Sequence, residues 1–391
     1  MAPHPLFVFG VARGGTNLIA RVLAAHSAVA IGMDPLMPLF RFWRDAVMAE
    51  ARAGLLRERP AGEPFQDFYF DADGPAMLAA MLAARTDIAI PPDRLAPLRE
   101  ALAARAALES PDLARHLVRV DGSDVAALIG AVLGAVAAEA REAGRGPLAW
   151  LGCKEVWTVD FLPALARAFP DARFVIVLRD PRAVLASLIA MAAGDPSQHA
   201  HGVSYLRHWR KLVALVALFQ ARPDLAPRLT VARFETMCHA AETEAGRLGA
   251  FLGLPFEAAM LHPGGENGWQ GNSSFGAIGT GISPAAAEGW RRRIAPADHA
   301  LAEFLCAPEM AAAGYEPDAV LPEPTDAVLR RMLDFHDDPG SWRSDSGDPF
   351  ADLAWEALRH RLWRAPPSLP ETGTLMARCF LNPDVLQQRA E

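Results

Sequence analysis

The chain has 391 residues, 51% of them hydrophobic and 21% charged, and a net charge of −8. This is the balance of a globular protein, long enough for one large domain or two modest ones. The acidic charge excludes a broad nucleic-acid-binding surface, though not a local basic pocket. Cys153, Cys238, Cys306 and Cys379 are far apart with no C-x-x-C pair, so neither a zinc site nor a disulfide framework is indicated. The longest apolar stretch, residues 125–138, contains Gly130 and Gly134 and is too short for a membrane-spanning helix. Residues 1–5 run straight into the first strand with no signal-peptide pattern, so the expectation is a cytoplasmic protein without membrane contact.

Pro5-Leu6-Phe7-Val8-Phe9 is a nearly continuous apolar run, the pattern of a strand buried on both faces of a parallel sheet. Gly10-Val11-Ala12-Arg13-Gly14-Gly15-Thr16-Asn17 follows, and Leu18, Ile19, Val22 and Leu23 then recur at helical spacing. Strand, glycine-rich turn and helix together form a seat for a phosphate-like anion, made of backbone N–H groups and the positive end of the helix dipole. Gly10 to Gly15 has the G-x-x-x-x-G spacing of a phosphate-binding loop. The Lys of the nucleotide triphosphatase pattern is here Thr16, and its Mg²⁺-binding Ser/Thr is Asn17, which argues against γ-phosphoryl transfer. Arg13 offers a cation by another route. From the loop alone, a plain glycine-rich turn of an α/β domain reads equally well.

Residues 28–31 read as a second strand, ended by Gly32-Met33-Asp34-Pro35. Asp34 stands where parallel α/β sheets place functional groups, or simply starts the next helix. Residues 36–147 read as mostly helical, with pieces at 36–56, 76–85, 92–108 and 123–143, the last capped by Ser123-Asp124. This block is expected to be a helical insertion acting as an acceptor-site lid. Its aromatics Phe40, Phe42, Trp43, Phe65, Phe68, Tyr69 and Phe70 either line an acceptor pocket or pack a core.

Residues 148–153 form a third predicted strand, with Lys154-Glu155 at its end, and a helix follows over 159–169. The apolar run 174–178 is a fourth strand. It leads into Arg179-Asp180-Pro181-Arg182, where Asp180 can cap a helix that carries Ser187 two turns on. Arg179 leaves that strand placed for charge-assisted hydrogen bonds to a phosphate, or for a carboxylate at the helix start. His199 and His201, in a loop at 196–202, read as surface histidines. A helix over 203–220, a strand over 229–233 and a helix ending at Gly253 come next. Residues 263–281 read as an ordered loop or flap, and Arg291-Arg292-Arg293 as a basic cluster at a helix end, near a ligand or in solvent. Short helices broken by Pro and Gly fill 322–391.

Together these residues resemble sulfotransferases that use 3′-phosphoadenosine 5′-phosphosulfate (PAPS). Arg13-Gly14-Gly15-Thr16-Asn17-Leu18 is similar to that family's R-S-G-T-T-L loop for the 5′-phosphosulfate, with Gly14 for Ser and Asn17 for Thr. The segment from Phe169 to Arg182, with Ser187, is similar to its 3′-phosphate motif. Lys154-Glu155, Arg233-Phe234-Glu235, Phe251-Leu252-Gly253-Leu254-Pro255, Gly271-Asn272-Ser273-Ser274-Phe275 and Trp290-Arg291 match further segments in the right order.

The resemblance implies a P-loop-type parallel α/β core over 1–35 and 148–316, interrupted by the 36–147 insertion and followed by a helical C-terminal extension over 317–391. It implies PAPS held by Arg13, Gly14, Gly15, Thr16, Asn17, Arg179, Ser187, Arg233 and Arg291, with no metal. It implies Arg13 and Lys154 as catalytic cations and Asp34, with Asp for the family's Glu, as the base. The implied reaction is in-line transfer of a sulfuryl group to a hydroxyl or amine of a small-molecule, sugar or peptide acceptor. A nucleotide kinase or other P-loop NTPase, and a non-catalytic nucleotide-binding protein of the same fold, are the alternatives. The oligomeric state is unreadable.

Overall fold

The structure is a computed structural model describing residues 2–51, 74–192, 202–264, 282–318, 325, 349–365 and 373–382. Five strands, β1 (His4–Gly10), β2 (Val29–Met33), β3 (Trp150–Val156), β4 (Arg173–Leu178) and β5 (Leu229–Arg233), form one sheet in the order β2-β3-β1-β4-β5. Every pairing is parallel. A parallel sheet needs helical crossovers and is covered on both faces, which is why β1 and β4 are apolar without alternation. Phe7, Phe9, Phe174 and Ile176 face one core, while Leu6, Val8, Val175 and Val177 face the other.

Helix α1 (Thr16–Ala24) follows β1 on the second face. Between β2 and β3 come α2 (Met37–Ala51), α3 (Gly74–Leu82), α4 (Pro92–Ala106), α5 (Pro111–Leu117) and α6 (Val125–Glu142). These helices share one continuous core with the sheet face that carries Phe7 and Phe9. Phe40 and Trp43 are fully buried there and pack at a tilt against Phe161, with ring centroids 4.8 and 4.5 Å away, so the two aromatics pack core. Asp124 caps α6 by accepting from the Ala127 N–H at 2.9 Å.

After β3 the chain makes a 3₁₀ turn (Val159–Phe161) before α7 (Leu162–Ala168). Helices α8 (Pro181–Ala192) and α9 (Gly202–Gln220) precede β5. The expected single helix after β5 is two, α10 (Phe234–His239) and α11 (Ala241–Phe251), then α12 (Pro284–Glu288) and α13 (Pro296–Ala312). The helices Pro349–Arg364 and Gly373–Phe380 are the described part of the tail. The former buries Glu356 and Arg359 against Arg210 and Glu309.

Strand β3 runs three residues further than its apolar run, because Lys154, Glu155 and Val156 still pair with β1, and Lys154 with β2 as well. Connections from β1 run towards β2, whereas those from β4 run towards β5. The carboxyl ends of β1 and β4 therefore flank the topological switch point, where open α/β sheets bind ligands.

Candidate functional site

The loop after β1 is held by local geometry. The Gly14 N–H donates to the Val11 carbonyl at 3.0 Å. Arg13 and Gly15 both have positive φ, 64° and 88°. At Gly15 glycine serves twice: it takes the left-handed conformation, and a Cβ there would lie 2.2 Å from Cδ2 of Phe234. Gly15 is the N-cap of α1 and offers no capping side chain, so the first N–H groups of the helix face the loop without that partner. Thr16 and Asn17 open the helix, both buried.

Arg13, Ser187 and Arg179 come together over the switch point. Arg13 Nε donates to Ser187 Oγ at 3.0 Å, and Arg179 Nη1 donates to the Arg13 carbonyl at 3.0 Å. Arg179 Nη2 donates to the Ala286 carbonyl at 3.2 Å, while its buried Nε has no hydrogen-bond partner among the described residues. The guanidinium lies 4.2 Å over the Phe234 ring, and Trp209 Nε1 holds the Arg179 carbonyl at 2.7 Å. Burial lowers the pKa of both arginines, and Glu235 counters it at Arg179. A guanidinium stays cationic through such shifts. Asp180 Oδ1 accepts from the Arg182 N–H at 2.9 Å, the cap foreseen for α8, and this aims Ser187 at the loop.

Asp34 and Lys154 also meet. The Asp34 N–H extends the β2–β3 ladder by donating to the Lys154 carbonyl at 2.8 Å. The backbone then turns at φ 53°, a conformation Asp tolerates better than most residues. Asp34 Oδ2 accepts from Lys154 Nζ at 2.6 Å and pairs with Arg105 at 3.2 Å. Its Oδ1 is buried with no hydrogen-bond partner among the described residues. Beside it, Glu155 is fully buried and accepts from the Leu36 N–H through Oε1. Burial first, then the Asp34 charge, pushes the Glu155 carboxyl well above the usual range.

Sequence reasoning did not foresee the residues between α4 and α5. Arg105 reaches Asp34, Glu109 Oε2 accepts from Asn17 Nδ2 at 3.4 Å, and Ser110 Oγ accepts from the Met33 N–H at 3.2 Å. Helix α5, opened by Pro111, is absent from the expected set, and nothing local told what the corner would touch. Trp157, at φ 66°, donates its N–H to the Gly10 carbonyl at 2.9 Å and sets its ring edge-on to Tyr205 at 5.4 Å.

Arg233 and Arg291 join neither group. Arg233 donates to the Ala313 carbonyl and lies 5.0 Å over the Tyr315 ring. Arg291 Nη1 donates to Asp318 at 2.9 Å. His299, Glu303 and Asp318 converge as metal ligands would, but Arg182 Nη1 sits among them, 2.7 Å from Glu303 and 3.2 Å from Asp318. That guanidinium already engages both acids. The aromatics at 65, 68, 69 and 70, His199, His201 and the segment 271–275 lie outside the described residues. No helix among those described is long and apolar enough to cross a membrane.

Comparison with known proteins agrees in kind. No curated protein sequence matches the chain. Among solved structures it is similar to the sulfotransferase domain from the curacin biosynthetic pathway, at 15% identity and a TM-score of 0.45, covering 81% of this chain and 99% of that one. It is similar to the sulfotransferase domain of the Synechococcus PCC 7002 olefin synthase, at 17% identity and a TM-score of 0.38, covering 75% and 90%. Sulfotransferase STF9 from Mycobacterium avium shares 17% identity with a TM-score of 0.34, covering 66% of each chain. The profile of the sulfotransferase family matches residues 5–258, from β1 to the turn after α11, and the chain belongs to that family.

Proposed function

We propose that the protein is a PAPS-dependent sulfotransferase acting on a hydroxyl or amine of a small-molecule, sugar or tyrosyl acceptor. The observation that carries this reading is the convergence of Arg13, Ser187 and Arg179 at the β1–β4 switch point. Two guanidiniums, a hydroxyl and an uncapped helix start are the donor set for a nucleotide with two anionic ends. The Arg179 Nε, without a hydrogen-bond partner among the described residues, fits such a ligand.

PAPS would supply the activated sulfuryl group when bound. Arg179 and Ser187 would hold the 3′-phosphate, and the N–H groups of Gly14 to Asn17 the 5′ end. Arg13 and Lys154 would offset negative charge at the reacting end. Asp34 would take the acceptor proton at Oδ1, the oxygen left without a donor. Lys154 and Arg105 on Oδ2 hold that carboxylate in orientation. Thr16 and Asn17 stand where a triphosphatase has its Lys and its Mg²⁺-binding Ser/Thr.

The test is calorimetric titration with adenosine 3′,5′-bisphosphate and, separately, with ADP and Mg²⁺. Tighter binding of the bisphosphate, lost in Arg179→Ala, is expected. Equal or tighter binding of ADP overturns the reading.

A further inference from the structure

The corner between α4 and α5 presents charges opposite to those of the site it covers. Its cation, Arg105, lies on the carboxylate of Asp34 at 3.2 Å. Its anion, Glu109, lies on the Asn17 amide at 3.4 Å, at the start of α1. The Asn17 amide group must present Nδ2 to that carboxylate, since its oxygen would repel it. Ser110 pins the corner to the end of β2 through the Met33 N–H at 3.2 Å. The field of Glu109 also reaches the Arg13 guanidinium and raises its pKa against the effect of burial.

A carboxylate at the first turn of an uncapped helix, beside a buried arginine, stands where the anion loop expects its ligand. An arginine on Asp34 Oδ2 stands beside the oxygen that an acceptor hydroxyl would approach. We propose that Glu109, in the corner between α4 and α5, is a substrate-mimicking latch that occupies the 5′-anion seat of Asn17 and Arg13 until a ligand anion displaces it, while Arg105 stays on Asp34. This rests on the reading of the loop as a nucleotide-anion seat.

The latch has an energetic consequence. A ligand anion binds only the fraction of molecules in which Glu109 has left, so its apparent affinity is reduced by that fraction. The corner belongs to the block between β2 and β3, so displacing Glu109 loosens that block where it covers Asp34. Nucleotide binding first and acceptor entry second is the order this imposes.

The experiment titrates wild type, Glu109→Gln and Glu109→Ala with adenosine 3′,5′-bisphosphate at one fixed low salt concentration. Glutamine keeps the shape and a hydrogen bond but removes the charge, and alanine removes both. Both variants should bind roughly 3- to 10-fold tighter than wild type, the range of a partly exposed charged contact. Amide hydrogen exchange over 105–110 in the wild-type protein should speed up when the bisphosphate is added. Unchanged or weaker binding in both variants overturns the latch and leaves the nucleotide reading standing. Binding to none of the three proteins overturns the nucleotide reading and the latch with it.

Discussion

Replacing Gly15 with alanine should both destabilise the fold and empty the anion site. Two separate effects act. The left-handed backbone at φ 88° costs a residue with a Cβ about 1 kcal/mol. The new Cβ would also meet Phe234 at 2.2 Å from Cδ2 and 3.0 Å from both Cε2 and Cγ. Carbon atoms rest at about 3.5–4.0 Å, so the ring must move by more than about 1 Å. Overpacking of that kind costs roughly 1–3 kcal/mol, which brings the sum to about 2–4 kcal/mol. The ring that must move is the one under the Arg179 guanidinium at 4.2 Å, so Arg179 moves with it. Urea unfolding should report the stability loss, and calorimetry with adenosine 3′,5′-bisphosphate the binding loss. In a Phe234→Ala background the steric part disappears, and the Gly15→Ala cost should fall to about 1 kcal/mol, the backbone part alone. A Gly15→Ala protein within about 0.5 kcal/mol of wild type, or an undiminished cost in the Phe234→Ala background, refutes the reasoning.

Asp34→Asn keeps a side chain that tolerates φ 53° but removes the charge from Lys154 and Arg105. Sulfuryl transfer from PAPS should fall by roughly 10²–10⁴-fold with bisphosphate affinity retained; undiminished transfer removes Asp34 from the role of base. Leaving Lys154 buried without its partner should also cost roughly 3–5 kcal/mol in denaturant unfolding. Glu155→Gln preserves the bond to the Leu36 N–H without the ionisable group. The folded-state pKa of Glu155 lies above its unfolded value, so the stability linked to its proton is present below the ordinary carboxylate range and lost as pH rises through the raised value. Stability profiles of Glu155→Gln should therefore be flatter on the alkaline side of that range, and a parallel profile would refute this. Burial lowers His360 to about 4, so the folded protein should lose roughly 3 kcal/mol as pH falls from about 6.5 to about 4, a loss absent in His360→Gln.

Periodic and local features were readable along the chain. The apolar runs of β1 and β4 announced a parallel sheet because a strand covered on both faces has no polar alternation to keep. Gly10 to Gly15 announced a tight strand-to-helix turn, and Asp180-Pro181 announced the helix that carries Ser187, because turns and caps are decided within a few residues. Arg13 and Arg179 were named from local patterns and Ser187 from the family resemblance, and the fold brings Arg13 within hydrogen-bond distance of the other two. The ends of β3 escaped, since Lys154 and Glu155 are strand residues only by virtue of their partners in β1 and β2.

What the sequence by itself determined is the framework: a parallel α/β sheet, a glycine-rich strand-to-helix loop without the triphosphatase residues, and a capped helix beyond β4. Only the tertiary structure decided what those parts touch. Arg13 and Ser187 are 174 positions apart, and Asn17 and Glu109 are 92 apart. It sent Arg233 and Arg291 to the 313–318 segment, put Phe40 and Trp43 in the core, and brought Arg105 and Glu109 onto the site. Periodicity and turn chemistry act over a few residues and leave their mark on neighbouring positions. An ion pair between distant segments needs only one suitable residue at each end, and which charges meet is settled when the helices pack on the sheet.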